Sequence, residues 1–311
     1  MHFHGTIWRP PYEAESLLLQ ATAGCTHHAC KFCTLYEDLP FRFRMSPLEE
    51  IEADLREAQL WGTDPMAMLS ARLQGIPRPQ GPRRVFLVGA NPFVLLPKRL
   101  EEIAELVRRY LPTVESIGCF ARVTDVGLKS GEELRRLRTL GYDGLTVGVE
   151  TGDDRALAFM NKGCQARDIV EQAARLDEAG ISYSFFYLAG ISGAGRGAEG
   201  ALRSAEIFNQ TRPRRIGSSM LTVFPSSELY REIQAGNWKE ESELEKLGEL
   251  KTLVEHMSVP TRFETEGASN LVRVRGDLPE DRERLAGYLE SLIAGADEEA
   301  LRAYRLSLKH L

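Results

Sequence analysis

No run of eighteen or more apolar residues occurs in the chain, so no helix long enough to cross a membrane is expected. The start, Met1-His2-Phe3-His4-Gly5, lacks the charged opening and apolar stretch of a secretory signal, which leaves the cytoplasm as the expected compartment. Basic residues are fewer than acidic ones, 39 against 45, and they are dispersed. Without a basic block to follow a phosphate backbone, a nucleic-acid partner is not indicated. Cysteine is scarce and odd in number: five residues, Cys25, Cys30, Cys33, Cys119 and Cys164, and none beyond position 164. That count does not suit a disulfide framework. Internal repeats and low-complexity tracts are also missing.

What is present is an alternation. The 311 residues, 43% of them hydrophobic, suffice for one large domain or two small ones. Residues 16–22 read as a buried strand, and the three clustered cysteines follow it. Ser46-Pro47-Leu48-Glu49 carries an N-cap, a proline at the first helical position and an acid at the third, so a helix to about Leu60 is expected. Residues 63–84, with four prolines, read as a long loop or lid with room for a short helix. Strands are then expected at 85–88, 116–120, 145–149, 183–189 and 216–223, with helices at 97–110, after Ser130, at 166–179 and at 201–210 between them. Six strand–helix units predict an α/β fold with a parallel sheet and right-handed crossovers. Past Pro225 the pattern turns helical, at 228–236, 238–257 and twice within 279–311. Residues 258–278 read as an irregular return across the sheet. Its polar Ser269, Asn270, Arg273 and Arg275 are placed to close over a substrate, although ordinary loop chemistry accounts for them too.

The cysteine loop reads Cys25-Thr26-His27-His28-Ala29-Cys30-Lys31-Phe32-Cys33. Three thiolates on a short loop can ligate three irons of a [4Fe–4S] cluster and leave the fourth iron open to a cofactor or substrate. The same loop also fits a structural Cys₃His zinc site completed by His27 or His28. Against zinc stand the missing second ligand pair and the position of the loop, directly after the first strand of an α/β domain, where strand ends build active sites. Read by themselves, His27 and His28 are exposed loop residues. Cys119 and Cys164 stand alone and read as free buried thiols.

With these residues in view, the chain resembles the radical S-adenosylmethionine superfamily. The spacing differs by one residue, four instead of three between Cys25 and Cys30, and Phe32 matches the aromatic that usually precedes the last cysteine. Pro40-Phe41-Arg42-Phe43-Arg44, the strand end Val147-Gly148-Val149-Glu150-Thr151-Gly152 and the later Met160-Asn161-Lys162-Gly163 resemble the group that includes methylthiotransferases, coproporphyrinogen dehydrogenases and the Elongator catalytic subunit.

The resemblance implies a partial (βα)6 TIM-like barrel over residues 1–230 and a helical C-terminal extension, 231–311, closing it. It implies a [4Fe–4S] cluster on Cys25, Cys30 and Cys33 that cleaves S-adenosylmethionine to a 5′-deoxyadenosyl radical, which takes hydrogen from an unknown, small-molecule substrate. It implies an external low-potential electron donor, a flavodoxin or ferredoxin. Cofactor contacts carry over to Phe32, to the backbone of Gly89, Ala90 and Asn91, to Glu150 and to Gly190 and Ile191. Arg122 is placed to meet the methionine carboxylate, or else forms a surface salt bridge. Glu150 has a bland alternative as the cap of the following helix. The alternative for the whole chain is a non-catalytic Fe–S or zinc-binding protein.

Overall fold

The computed structural model describes residues 1–61, 65–74 and 81–308. Parts of the expected 63–84 loop therefore lie outside the described residues. Within it, Pro65–Leu73 is a helix.

The first strand, β1 (Leu17–Gln20), is followed at once by a short hairpin of β2 (Thr22–Gly24) and β3 (Phe43–Met45), which carries the cysteine loop. Helices α1 (Leu48–Trp61) and α2 (Pro65–Leu73) come next. Then the alternation sets in: β4 (Arg84–Val88), α3 (Pro97–Tyr110), β5 (Ser116–Arg122), α4 (Val123–Gly127), α5 (Gly131–Thr139), β6 (Leu145–Glu150), α6 (Asp154–Phe159) and α7 (Ala166–Ala179). It continues with β7 (Tyr183–Ala189), α8 (Gly197–Phe208) and β8 (Arg215–Met220). The last third holds α9 (Glu228–Gln234), α10 (Glu243–His256), β9 (Thr261–Glu264), β10 (Arg275–Leu278), α11 (Arg282–Gly295) and α12 (Glu298–Ser307).

The main sheet has eight strands in the order β1-β4-β5-β6-β7-β8-β9-β10. All neighbours run parallel except the last pair. Two segments correct the sequence reading. Residues 258–278 are not wholly irregular, because their ends form β9 and β10. Thr261-Arg262-Phe263-Glu264 offers one apolar side chain, so only pairing with β8 makes it a strand. Likewise the helix expected from Trp238 starts at Glu243, where Ser242 and Glu245 form a reciprocal capping box.

The helices follow from their apolar spacing. On α3, Leu100, Ile103, Ala104 and Val107 recur at one face and are buried. These residues join a core built from the strands, and α10 and α11 add Leu247, Leu250, Leu253, Leu285 and Leu289 to the same core.

The sheet is open but curved. Residues Pro11–Glu13 form a single 3₁₀ turn. Tyr12 donates or accepts at Thr146 of β6 (2.8 Å) and stacks under the Arg215 guanidinium of β8 at 4.2 Å. Its neighbour Glu13 pairs with Arg84 of β4 at 2.8 Å. Strands β4 and β8 are four positions apart, roughly 19 Å in a flat sheet at ~4.8 Å per strand. Adjacent residues reach both only because the sheet wraps around them. The turn thus fills the N-terminal end of a partial barrel, and the concave face is the one bearing Thr146 and Arg215. Strand alternation and register put Phe120, Arg122, Gly148, Phe186 and Ser219 on that face as well.

Among the described residues no helix is long and apolar enough to cross a membrane.

Candidate functional site

The cysteine loop stands at the C-terminal edge of the parallel strands. Its neck is a close backbone approach. Gly24, with φ +76°, has Arg42 so near that a Cβ would overlap the Arg42 carbonyl. Between Cys25 and Cys30 the chain turns at His28, whose φ is +43° and whose N–H points to Cys25 Sγ at 3.5 Å. His28 is exposed, as expected, but His27 is not a free loop residue. Its Nε2–H donates to the Asn161 carbonyl at 2.6 Å, and its own carbonyl accepts from Arg42.

The loop between α6 and α7 is therefore the support of the cysteine loop. Lys31 N–H donates to Met160 O (3.0 Å), and Asn161 Nδ2 donates to Ala29 O (3.0 Å). From the other side α9 contributes Leu229 N–H to Lys31 O (2.7 Å) and Glu232 to the Lys31 ammonium (2.5 Å). None of these partners is signalled locally. In the sequence, Met160–Gly163 stands out only through the family resemblance, not through any local signal of these contacts.

The three cysteines lie within electrostatic reach of one another. Burial first, and the neighbouring Cys30 second, push Cys33 up to about 12; burial also raises Cys30, against the opposing charge of Lys162. Cys33 is nonetheless exposed along one side. Among the described residues no three His, Cys, Asp or Glu side chains converge as a ready-made metal site. Cys119 is buried, whereas Cys164 is half-buried and acts on the same lysine, Lys162, as Cys30 does.

The strand ends converge on this loop. Gly89 ends β4 with φ +127°, and a Cβ there would overlap Thr22 of β2. Asn91 is fully buried, and its side chain is used structurally: Nδ2 donates to Thr26 Oγ1 (2.9 Å) and to Asp125 (3.1 and 3.2 Å). Asp125 in turn accepts from Arg122 N–H at 2.8 Å. The Asn91 amide is thus occupied within the fold, and its own carbonyl accepts from Val94 N–H at 3.0 Å, which leaves the carbonyls of Gly89 and Ala90 as the backbone acceptors of this segment. Arg122 donates to Lys162 O at 2.6 Å and forms no ion pair among the described residues.

Glu150 sits at the end of β6 with φ +65°, beside a register shift between Gly148 and Glu150. A glutamate in the left-handed region at a bulge is a strained residue at a strand end, the kind of place where function tolerates strain. It does not cap the next helix. That role belongs to Asp153, which accepts from Arg155 N–H at 3.1 Å. Instead Glu150 pairs with Lys162 at 2.6 Å.

Phe32 and Ile191, 159 positions apart, meet in one apolar cluster with Met160, Leu188, Leu221 and Leu229. Gly190, with φ +92°, has its N–H held by Glu249 at 2.6 Å. This edge of the sheet thus gathers three thiols, the glycine-bearing end of β4, one strained carboxylate and a packed apolar cluster. A separate cavity of about 410 Å³ lies against α8, α10 and α11 and shares no residue with the cysteine loop.

The family model of the radical SAM superfamily matches residues 19–194. No curated protein matches the chain in sequence. Among solved structures, coproporphyrinogen III oxidase (HemN) from Escherichia coli superposes with a TM-score of 0.53 at 14% identity, covering 94% of this chain and 79% of that one. Methylornithine synthase (PylB) gives 0.52 at 15% identity, covering 93% and 85%. An N-terminally truncated archaeal Elp3 from Methanocaldococcus infernus gives 0.51 at 16% identity, covering 79% and 61%, so the chain spans about three fifths of its length. At such identities the three share the fold, a partial barrel of the TIM type. The family match takes in more than half of the chain, from β1 past the end of β7, and the protein belongs to the radical SAM superfamily of enzymes.

Proposed function

We propose that the chain binds a [4Fe–4S] cluster through Cys25, Cys30 and Cys33 and cleaves S-adenosylmethionine to act on a small molecule held in the concave face. When bound, the pair supplies one-electron cleavage of the sulfonium to a 5′-deoxyadenosyl radical, which removes hydrogen from the substrate. The residues supply position. Carbonyls at Gly89 and Ala90 accept from the methionine ammonium, with Asn91 bracing the segment from below. Arg122 has guanidinium donors beyond its bond to Lys162 O for the methionine carboxylate. Glu150 accepts from ribose hydroxyls or the ammonium through the oxygen that Lys162 leaves without a partner. Phe32 and Ile191, with the Gly190 backbone, form the slot for adenine.

The convergence of Phe32 and Ile191 carries this reading, because two residues expected at one ligand from distant segments share one cluster. We place the substrate on the concave face, toward the half-buried rings of Phe120 and Phe186. Residues 1–230 hold the cofactors and 231–311 wall the mouth. The exposed flank of Cys33 is where an external low-potential donor, a flavodoxin or ferredoxin, approaches the cluster. All five cysteines are free thiols, which suits the cytoplasm.

Anaerobic reconstitution should give about four irons per chain, and Ala at position 25, 30 or 33 should abolish uptake. With dithionite and S-adenosylmethionine the protein should release 5′-deoxyadenosine. Glu150→Gln should keep the iron and weaken cofactor binding about tenfold or more, the worth of a charge-assisted hydrogen bond of ~1.5–3 kcal/mol. Stoichiometric zinc without iron-derived colour, and no nucleoside released, would show a non-catalytic metal protein instead.

A further inference from the structure

Lys162 is 6% exposed and Glu150 is 7% exposed, and the two form a buried pair inside the mouth. The pair has room because residue 148 is glycine. A Cβ there would stand 2.9 Å from Glu150 Oε1 and 3.4 Å from the Lys162 ammonium. The lysine is fixed from both ends. Its carbonyl accepts from Arg122, its N–H donates to Leu157 O at 3.0 Å, and its neighbour Asn161 holds the cysteine loop. The segment that carries the lysine also packs on the cysteine loop on both sides of Cys30: Asn161 Nδ2 donates to Ala29 O, and Lys31 N–H donates to Met160 O. The ammonium, paired with Glu150, thus stands near enough to Cys30 to act on its thiol as well.

We propose that Lys162 is an electrostatic relay: its ammonium is shared between Glu150 and the Cys30 thiolate, so that binding of S-adenosylmethionine at Glu150 changes the charge felt by the cluster. The inference rests on the ligand and Glu150 assignments above. Reduction adds one electron, and one negative charge, to the cluster, with no bond made or broken. A nearby cation favours that step, and the Glu150 carboxylate offsets the cation. Once donors of the cofactor engage Glu150, less of its charge is left for Lys162, and reduction becomes easier. By reciprocity the reduced cluster then binds the cofactor more tightly.

The test uses reconstituted wild type, Lys162→Met, Lys162→Arg and the double variant Glu150→Gln/Lys162→Met. Iron is counted on each. Midpoint potentials are measured by mediated titration with electron paramagnetic resonance, with and without S-adenosylmethionine. Lys162→Met should keep its iron, titrate at a more negative potential and show a smaller cofactor-dependent rise, and Lys162→Arg should restore both. The double variant leaves no lone buried charge. It carries the test if the single variant fails to fold, and its cofactor-dependent rise should be lost. A Lys162→Met protein, or the double variant, with full iron and a wild-type rise would overturn the relay. Two other failures would overturn it and are recognised apart: wild type without iron refutes the ligands, and Glu150→Gln with unchanged cofactor affinity refutes the Glu150 contact.

Discussion

Replacing Arg305 tests what fastens the last helix to the mouth. Arg305 on α12 is 2% exposed. Its Nε lies 2.9 and 3.0 Å from the two Glu243 oxygens, and Nη2 adds a bond of 2.8 Å. Nη1 reaches Thr222 Oγ1 at 2.9 Å and Ser269 O at 2.7 Å, tying α12 to the end of β8 and to the polar return. Glu243 also meets Lys246 at 3.1 Å and Arg302 at 3.4 Å, and Glu240 meets the same two bases at 3.0 and 2.6 Å. Burial pushes the Glu243 carboxyl up, but Arg305 and Lys246 more than reverse this and hold it below its ordinary value. Breaking a buried pair usually costs about 3–5 kcal/mol because a lone charge is left behind. Here Arg305→Met leaves two acids facing two bases, so the loss is mainly of charge-assisted hydrogen bonds. We expect about 3 kcal/mol. Glu243→Gln leaves three bases around one acid and should cost more, about 4–5 kcal/mol. The double variant should cost less than the sum. Urea unfolding followed by circular dichroism measures all three. An Arg305→Met loss larger than that of Glu243→Gln, or additive losses, would refute the reasoning.

Two further outcomes follow from single positions. Gly89→Ala should cost at least about 3 kcal/mol, since strain at φ +127° adds to overlap with Thr22, and the variant should melt markedly lower than wild type. Glu241 and Glu249 are buried side by side, and burial first, then for Glu241 the charge of its partner, raises both carboxyls, to about 10 and about 7. Because the folded state holds protons that the unfolded state releases, their contribution is complete below pH ~4.5 and falls as the pH rises, the Glu249 share being lost by about 7 and the Glu241 share by about 10. The neighbours Tyr187, Lys246 and Glu245 share that pocket, so the control is Glu241→Gln: its melting temperature should fall less over this window than that of wild type.

The parallel sheet was legible because most of its strands, such as Arg84–Val88 and Tyr183–Ala189, are short apolar runs closed by a glycine. Gly89, Glu150 and Gly190 were legible for the same reason, since strand ends announce themselves in the local pattern. What was hidden depends on contacts across the fold. The strand Phe43–Met45 exists only as the partner of Thr22–Gly24. The edge strand Arg275–Leu278 has no apolar alternation of its own and follows from β9. Lys162, His27 and Asn91 carried no sign of their partners, which lie 12, 134 and 65 positions away. A buried lysine can be read from spacing only when its acid lies on the same helix, and here the acid lies on a strand end.

The 3₁₀ turn of Tyr12 and Glu13 has a consequence for traffic. Held by β4, β6 and β8 at once, the turn stoppers the lower end of the concave face. A molecule approaching that face meets Tyr12 from below and has to come from the end that carries the cysteine loop or from the open edge of the sheet. If the proposed cofactor sits at the upper end, it narrows the first of these routes, and the order in which cofactor and substrate bind becomes a kinetic question that this turn poses.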